Sequence, residues 1–361
     1  MEQRRYLITG AQGFVGRYLT AFLLGSEPAA QVLGVGRSAR QDGHFTHRIS
    51  IGTRRVPAPL PAMLRTNLDG RFRYAQVSLL ETGRVRELIK SFQPQCIFHL
   101  ASALSSAQDR DLFRSNVAGT ASLMDAISEA RVPGALVIAG SSGGVYGEIG
   151  SPPIPESAPC RPGDLYSATK LAAEHITRIK AEHGGFAFIH ARIFNIVGPG
   201  QMESHVCGRF AAQLASPIGP TMALKVGRLN TTRDFIDVRD VAAALLLLSQ
   251  RGEPGDTYNV ASGVETPIHF VLSELIRLSG WPGEVQVETR HERQADILRH
   301  FADIGRLERL GFAVRYPISA SLEDVLRYYR TLSLSEEMPA PWRRRAYPRV
   351  MLVRGEDALS E

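Results

Sequence analysis

Tyr6-Leu7-Ile8-Thr9-Gly10-Ala11-Gln12-Gly13-Phe14-Val15-Gly16 joins a short apolar run to three glycines at GxxGxxG spacing, and residues 17–24 continue as an amphipathic stretch. The order reads as strand, tight turn, helix. Glycines so placed let the backbone turn sharply and approach a pyrophosphate, which then sits on the positive end of the helix dipole. Gly10, Gly13 and Gly16, with Phe14 and Val15 between them, are therefore candidate cofactor-binding residues. The spacing is one residue wider at the front than the GxGxxG dinucleotide fingerprint.

Outward from this stretch, the first half alternates short apolar runs with helical patterns, the mark of a parallel sheet. Strands are expected at 5–9, 31–35, 72–77, 95–100, 135–140 and 186–192, and later helices at 205–215, 238–249, 266–279 and 319–332. The expected class is α/β: a Rossmann-type doubly wound parallel sheet with a smaller C-terminal α/β substrate domain. Residues 1–192 would form the cofactor domain, with a return segment near 234–260; residues 193–233 and 261–332 would form the substrate domain, and 333–361 a tail. Residues 41–70 hold Gly52, Pro57, Pro59 and Pro61 without clear periodicity and read as a loop-rich insertion; the proline-rich 151–163 reads as a loop over the site.

The second strand ends in Gly36-Arg37-Ser38-Ala39-Arg40. An NAD site places an acid near here to hold the ribose 2′-hydroxyl. This chain has no acid there and two arginines, whose planar forks suit a phosphate. The reading is NADP(H), with Arg37 first and Arg40 second.

Composition bounds the rest. The chain has 361 residues, 44% of them hydrophobic, and a net charge of +6. It is long enough for a full core. No run approaches a membrane span and residues 1–20 lack a signal-peptide pattern. Cys96, Cys160 and Cys207 are few and scattered, so a disulfide framework is not expected and the protein is read as cytoplasmic. No basic run interleaved with aromatics points to nucleic acid; anionic small molecules account for the arginines.

In Tyr166-Ser167-Ala168-Thr169-Lys170 the phenol and the amine lie four residues apart, on one face of a helix. An ammonium nearby would pull the phenol down from about 10, toward a group that exchanges protons near neutrality. Upstream, an apolar run leads to Ser141-Ser142-Gly143-Gly144-Val145-Tyr146-Gly147, delivering hydroxyls to a strand's C-terminal end.

Together with Thr9–Gly16, His99–Ser102, Asn116–Thr120 and Arg192–Gln201, these motifs resemble the extended short-chain dehydrogenase/reductase family over roughly residues 5–330. The resemblance implies that Tyr166 is the catalytic acid/base, that Lys170 tunes it and holds the nicotinamide ribose, and that Ser142 bonds the reacting oxygen, with Ser141 next to it. It adds Leu79, Leu100, Ala101, Ser102, Asn116 and Ile193 to the cofactor set. His99 reads as a buried strand-end histidine. The family's oligomers imply a homodimer or homotetramer.

Within the family, Val226–Asp240, Gly198–Gln201 and Arg209–Gln213 are similar to the GDP-mannose 4,6-dehydratase and GDP-4-keto-6-deoxymannose reductase group. Dehydratases carry an acid where this chain has Gly143-Gly144, and glycine does no acid/base work. The implied activity is NADPH-dependent reduction of a nucleotide-diphospho-4-keto-6-deoxy sugar, GDP-linked; the alternative is a nucleotide-sugar 4-epimerase using the same centre. Asn195, Arg209, Arg233 and Arg293, with Ser142, are the candidate substrate residues, Arg233 first for the diphosphate. His205 and Cys207 read as pocket wall, with proton exchange as the alternative. Asp237 and Asp240 read as caps or anchors of the helix that follows.

Overall fold

The computed structural model describes residues 4–51, 54–65, 70–215, 221–281, 284–289 and 297–337. In chain order the elements are β1 (Arg5–Thr9), α1 (Phe14–Ser26), β2 (Gln31–Gly36), β3 (His44–Ile51), β4 (Arg54–Pro59), β5 (Phe72–Gln76), α2 (Thr82–Phe92), β6 (Cys96–His99), α3 (Asp109–Leu112), α4 (Gly119–Ala130), β7 (Leu136–Ser142), α5 (Leu165–Gly184), β8 (Ala187–Ile193) and β9 (Asn195–Val197). There follow α6 (Val206–Ala215), β10 (Thr221–Val226), β11 (Thr232–Arg233), β12 (Phe235–Asp237), α7 (Val238–Arg251), β13 (Thr257–Val260), β14 (Thr266–Pro267), α8 (Ile268–Ser279), β15 (Glu284–Thr289), β16 (Arg299–His300), α9 (Gly305–Arg309) and α10 (Ile318–Glu337).

Seven strands form one parallel sheet in the order β13-β8-β7-β6-β1-β2-β5. From β1 the chain winds first through β2 to β5, then returns to β6 on the other side. The strand order therefore switches at β1, and a crevice opens beyond the strand ends there. Alternate residues of β1 feed two core layers: Tyr6 and Ile8 pack with Val32, Phe98 and Ile138, while Leu7 packs with Leu33, Ile97 and Val137. Helices cover both faces, as a buried parallel sheet requires.

The insertion differs from expectation. β3 and β4 pair antiparallel, with a register shift between His44 and Arg48. Phe45, Ile49, Ala58 and Leu60 are buried in the main core. The bulge breaks the alternation by which a strand is recognised, so its prolines read as loop. The last helix also runs beyond 332, to Glu337; residues 338–361 lie outside the described residues. The 151–163 stretch anchors through the bridge Ile154↔Ala302 and the burial of Ile154.

Smaller sheets gather near the C-terminal edge: β10 with β15, β14-β11-β16, and β12 with β9. Asp237 caps α7 by accepting from Arg239 N and also bonds Ser321, while Asp240 accepts from the Arg315 and Tyr316 amides. Both are anchors, as the sequence suggested. Among the described residues no helix is long and apolar enough to cross a membrane.

Candidate active site

A cavity of about 610 Å³ opens at the switch point, lined by the glycine loop, the ends of β2 and β6, and the segments after β5 and α3. Gly10 takes φ +73°, and a Cβ there would stand 2.9 Å from Ala101 N, so only glycine lets the two loops meet. Of the candidate cofactor residues, Gly10, Gly13, Arg37, Leu79, Leu100, Ala101 and Ser102 line the cavity. Phe14, Val15, Gly16, Asn116 and Ile193 are not among the lining residues; Phe14 packs edge-on to Tyr18, and Ile193 pairs with Ser142 across β7 and β8.

The lining holds two cations, Arg37 and Arg114, and no carboxylate. Arg40 is turned aside; its Nε bonds Asp42 at 2.8 Å and its guanidinium lies over Phe72. Arg114 carries no local signal in the sequence. It reaches the cavity because a π-helical turn, Phe113–Ala118, precedes α4.

At the other end of the crevice, β7 ends in Ser142, which accepts from Gly144 N at 3.1 Å. α5 begins at its Asp164 cap, which bonds Ser167 N at 2.8 Å and Ser167 Oγ at 3.1 Å. That start places Tyr166 half-buried, with the Ser142 hydroxyl reaching its phenol. Lys170, one turn on, is buried and donates to the Gly140 carbonyl at 2.6 Å.

The electrostatics correct one expectation. Burial pushes Tyr166 up to about 12, and Ser142 only partly offsets it. The Lys170 ammonium, which was to lower it, donates to a β7 carbonyl and adds no lowering to the phenol. Tyr166 is thus a protonated phenol at neutral pH. Lys170 is itself pushed down by burial, to about 8, with Glu174 opposing the shift.

Glu174, one further turn along α5, was not singled out from sequence. It forms a bidentate ion pair with Arg192 of β8, at 3.0 and 2.8 Å. Arg192 also covers the Tyr146 ring at 4.8 Å. Only the i, i+4 spacing from Lys170 could have flagged Glu174. Asn116 ties two segments together, accepting from Ala103 N at 2.7 Å and donating to Thr169 Oγ1 at 3.0 Å. His99 lies buried between the Thr9 and Thr120 hydroxyls, 2.9 Å from each, and burial pushes it down to about 3, so it stays neutral.

The glycine pair after Ser142 is closely packed. A Cβ at Gly143 would stand 2.9 Å from the Phe194 ring, and one at Gly144 would stand 2.5 Å from Ser167 Oγ. A side chain at either position would require Phe194 or Ser167 to shift.

A family profile described as the NAD dependent epimerase/dehydratase family matches residues 6–261. The chain belongs to this family. Among curated members of the epimerase/dehydratase family, it is 30% identical over 332 residues to the GDP-6-deoxy-D-mannose reductase of Pseudomonas aeruginosa, covering 90% of this chain and 96% of that one. It is 28% identical over 287 residues to the dTDP-6-deoxy-L-talose 4-dehydrogenase (NAD(P)(+)) of Kitasatospora kifunensis, covering 78% and 81% of the two chains. Among solved structures, the NADPH complex of RMD from Pseudomonas aeruginosa superposes with TM-score 0.73 at 27% identity, over 91% of this chain and 99% of that one. The UDP-glucose 4-epimerase of Thermotoga maritima shares the fold, with TM-score 0.75 at 20% identity, over 91% and 99%.

Apart from Ser142, the described candidate substrate residues of this epimerase/dehydratase chain lie on β9, β11 and α6. Asn195 is exposed on β9 and donates to the Asp234 carbonyl at 2.9 Å. Arg233, on β11, donates to the Thr232 and Ile297 carbonyls, both at 2.8 Å. Arg209 is exposed on α6, with Nε 3.3 Å from the Glu203 carbonyl. Arg293 lies outside the described residues. Cys207 is fully buried in the apolar core, where burial pushes its thiol up, so it neither lines a pocket nor exchanges protons. Among the described residues no cluster of His, Cys, Asp and Glu could hold a metal.

Proposed function

We propose that the protein reduces the C4 ketone of a GDP-linked 4-keto-6-deoxy sugar, using NADPH, with Tyr166 as general acid. The observation that carries this reading is the cavity wall at the end of β2, which offers Arg37 and no carboxylate. A carboxylate would repel a 2′-phosphate; an exposed guanidinium attracts it. NADPH supplies the hydride. The protein's own residues supply orientation and the proton. The glycine loop of residues 10–16 takes the pyrophosphate, and Lys170 holds the nicotinamide ribose. Ser142 orients the ketone oxygen toward Tyr166, whose phenol donates its proton as hydride reaches C4. The phenolate then recovers a proton from solvent.

Three further facts support the reading. Tyr166 is protonated at neutral pH, the state a reductase needs. Glycines, not acids, follow Ser142, and glycine cannot help eliminate water. The Pseudomonas aeruginosa relatives are a GDP-6-deoxy-D-mannose reductase and an NADPH complex. Residues 1–192 with the 234–260 return would hold the cofactor; Asn195, Arg209 and Arg233, with Arg293, would hold the nucleotide sugar.

The test is nicotinamide absorbance on mixing the enzyme, NADPH and GDP-4-keto-6-deoxymannose. Absorbance should fall only when all three are present. Tyr166→Phe should lower kcat by about 10²–10⁴-fold and still bind NADPH. NADPH binding without oxidation across a panel of 4-keto sugars would overturn the reductase reading.

A further inference from the structure

The turn that carries Arg37 is fixed from behind by a buried arginine. Arg17, in the first turn of α1, is 8% exposed. Its Nη2 donates to Gln12 Oε1 at 3.2 Å, to the His44 carbonyl at 3.1 Å and to the Gln41 carbonyl. Gln12 accepts from Gln41 N at 2.5 Å and donates to the Ala39 carbonyl at 3.0 Å and to Ser38 Oγ at 3.5 Å. The 38–44 loop therefore hangs on Gln12 and Arg17, with Tyr74 OH on the Ser38 carbonyl at 2.9 Å as a further tie. Gln12, Arg37 and Ser38 all line the cavity.

Arg17 is out of place on stability grounds alone. Every acceptor it reaches is neutral, and its buried Nε has no partner. Among the described residues no carboxylate lies within ion-pair distance of it. Asp42, the acid whose field reaches it, is committed to Arg40 at 2.8 Å. A buried cation without a counter-ion costs free energy. Such a cost is offset where an anion binds nearby.

We propose that Arg17, acting through Gln12, is a positioning residue for cofactor discrimination. The pair holds the Arg37-Ser38 turn in the shape that receives a phosphate on the adenosine ribose, and the buried charge favours that dianion. The inference rests on the NADP(H) reading above.

The test is to measure Kd for NADPH and NADH with wild type, Arg17→Met, Gln12→Leu and Arg37→Ala. The two cofactors differ only in the 2′-phosphate, so their ratio isolates this end of the site. Arg17→Met and Gln12→Leu should each lower the NADPH preference by roughly tenfold, the worth of one hydrogen bond to a charged group. Equal weakening for both cofactors would show plain structural support of the glycine loop and overturn the proposal. If Arg17→Met does not fold, Gln12→Leu decides by the same ratio. A preference lost in Arg37→Ala but kept in the other two sinks this inference and leaves the NADP(H) reading standing. A wild type that does not discriminate overturns both.

Discussion

Replacing Glu174 by glutamine should destabilise the protein far more than its size suggests. Glu174 and Arg192 join α5 to β8 with bonds of 3.0 and 2.8 Å, and their side chains are only 7% and 9% exposed. Solvent does not screen the pair at that depth. Burial alone would raise the Glu174 carboxyl, but Arg192 more than offsets it and holds the group below its ordinary range. Glutamine keeps the volume and strands the Arg192 charge. Its remaining contacts, the Glu156 carbonyl at 3.2 Å and the Tyr146 ring at 4.8 Å, carry no formal charge. Removing one partner of such a pair costs about 3–5 kcal/mol. The double variant Glu174→Gln/Arg192→Met strands nothing, so it should lose less than the sum of the singles. Urea unfolding at pH 7, followed by circular dichroism, measures all four corners of the cycle. Because the Glu174 pKa is depressed on folding, its contribution is fully present above about 4.5, the unfolded value, and disappears as pH falls below that. Glu174 also supports the Lys170 ammonium, so kcat near neutrality should fall as Lys170 drops further below about 8. A Glu174→Gln protein within about 0.5 kcal/mol of wild type, or additive effects in the cycle, would refute the reasoning.

Gly144→Ala would place a Cβ 2.5 Å from Ser167 Oγ and 3.3 Å from Ser142 Oγ, displacing the hydroxyl that reaches Tyr166. Turnover should fall by roughly a hundredfold with cofactor affinity retained, and full activity would show that Ser142 does not orient the reacting oxygen. Lys170 gives a pH signature in protein without added cofactor. Its folded pKa, about 8, lies below the ordinary 10.5, so the unfolded chain binds more protons between those values and stability should rise with pH across that window. Lys170→Met should flatten the rise; identical slopes for variant and wild type would contradict it.

The site was legible where its parts are close in sequence. The β1-turn-α1 unit is contiguous, and its glycines are set by geometry within seven residues, from Gly10 to Gly16. Tyr166 and Lys170 share one helical face, which spacing alone dictates. The β3–β4 pair escaped because a register shift breaks the alternation that marks a strand. Arg114 escaped because the π-helical turn that presents it has no local signature. Arg37 and Arg40 look alike in sequence; only the loop geometry gives one to the cavity and the other to Asp42.

The sequence by itself determined the alternation of strands and helices, the glycine turn between β1 and α1, and the placing of Tyr166 and Lys170 one turn apart on a single helix, since these follow from side-chain type and short-range spacing. The tertiary structure decided the protonation states. A pKa depends on what packs around a group, and that packing comes from distant segments. Gly140 takes the Lys170 ammonium, burial leaves Tyr166 protonated, and Arg192, 18 residues beyond Glu174, holds a carboxylate that no local pattern announces.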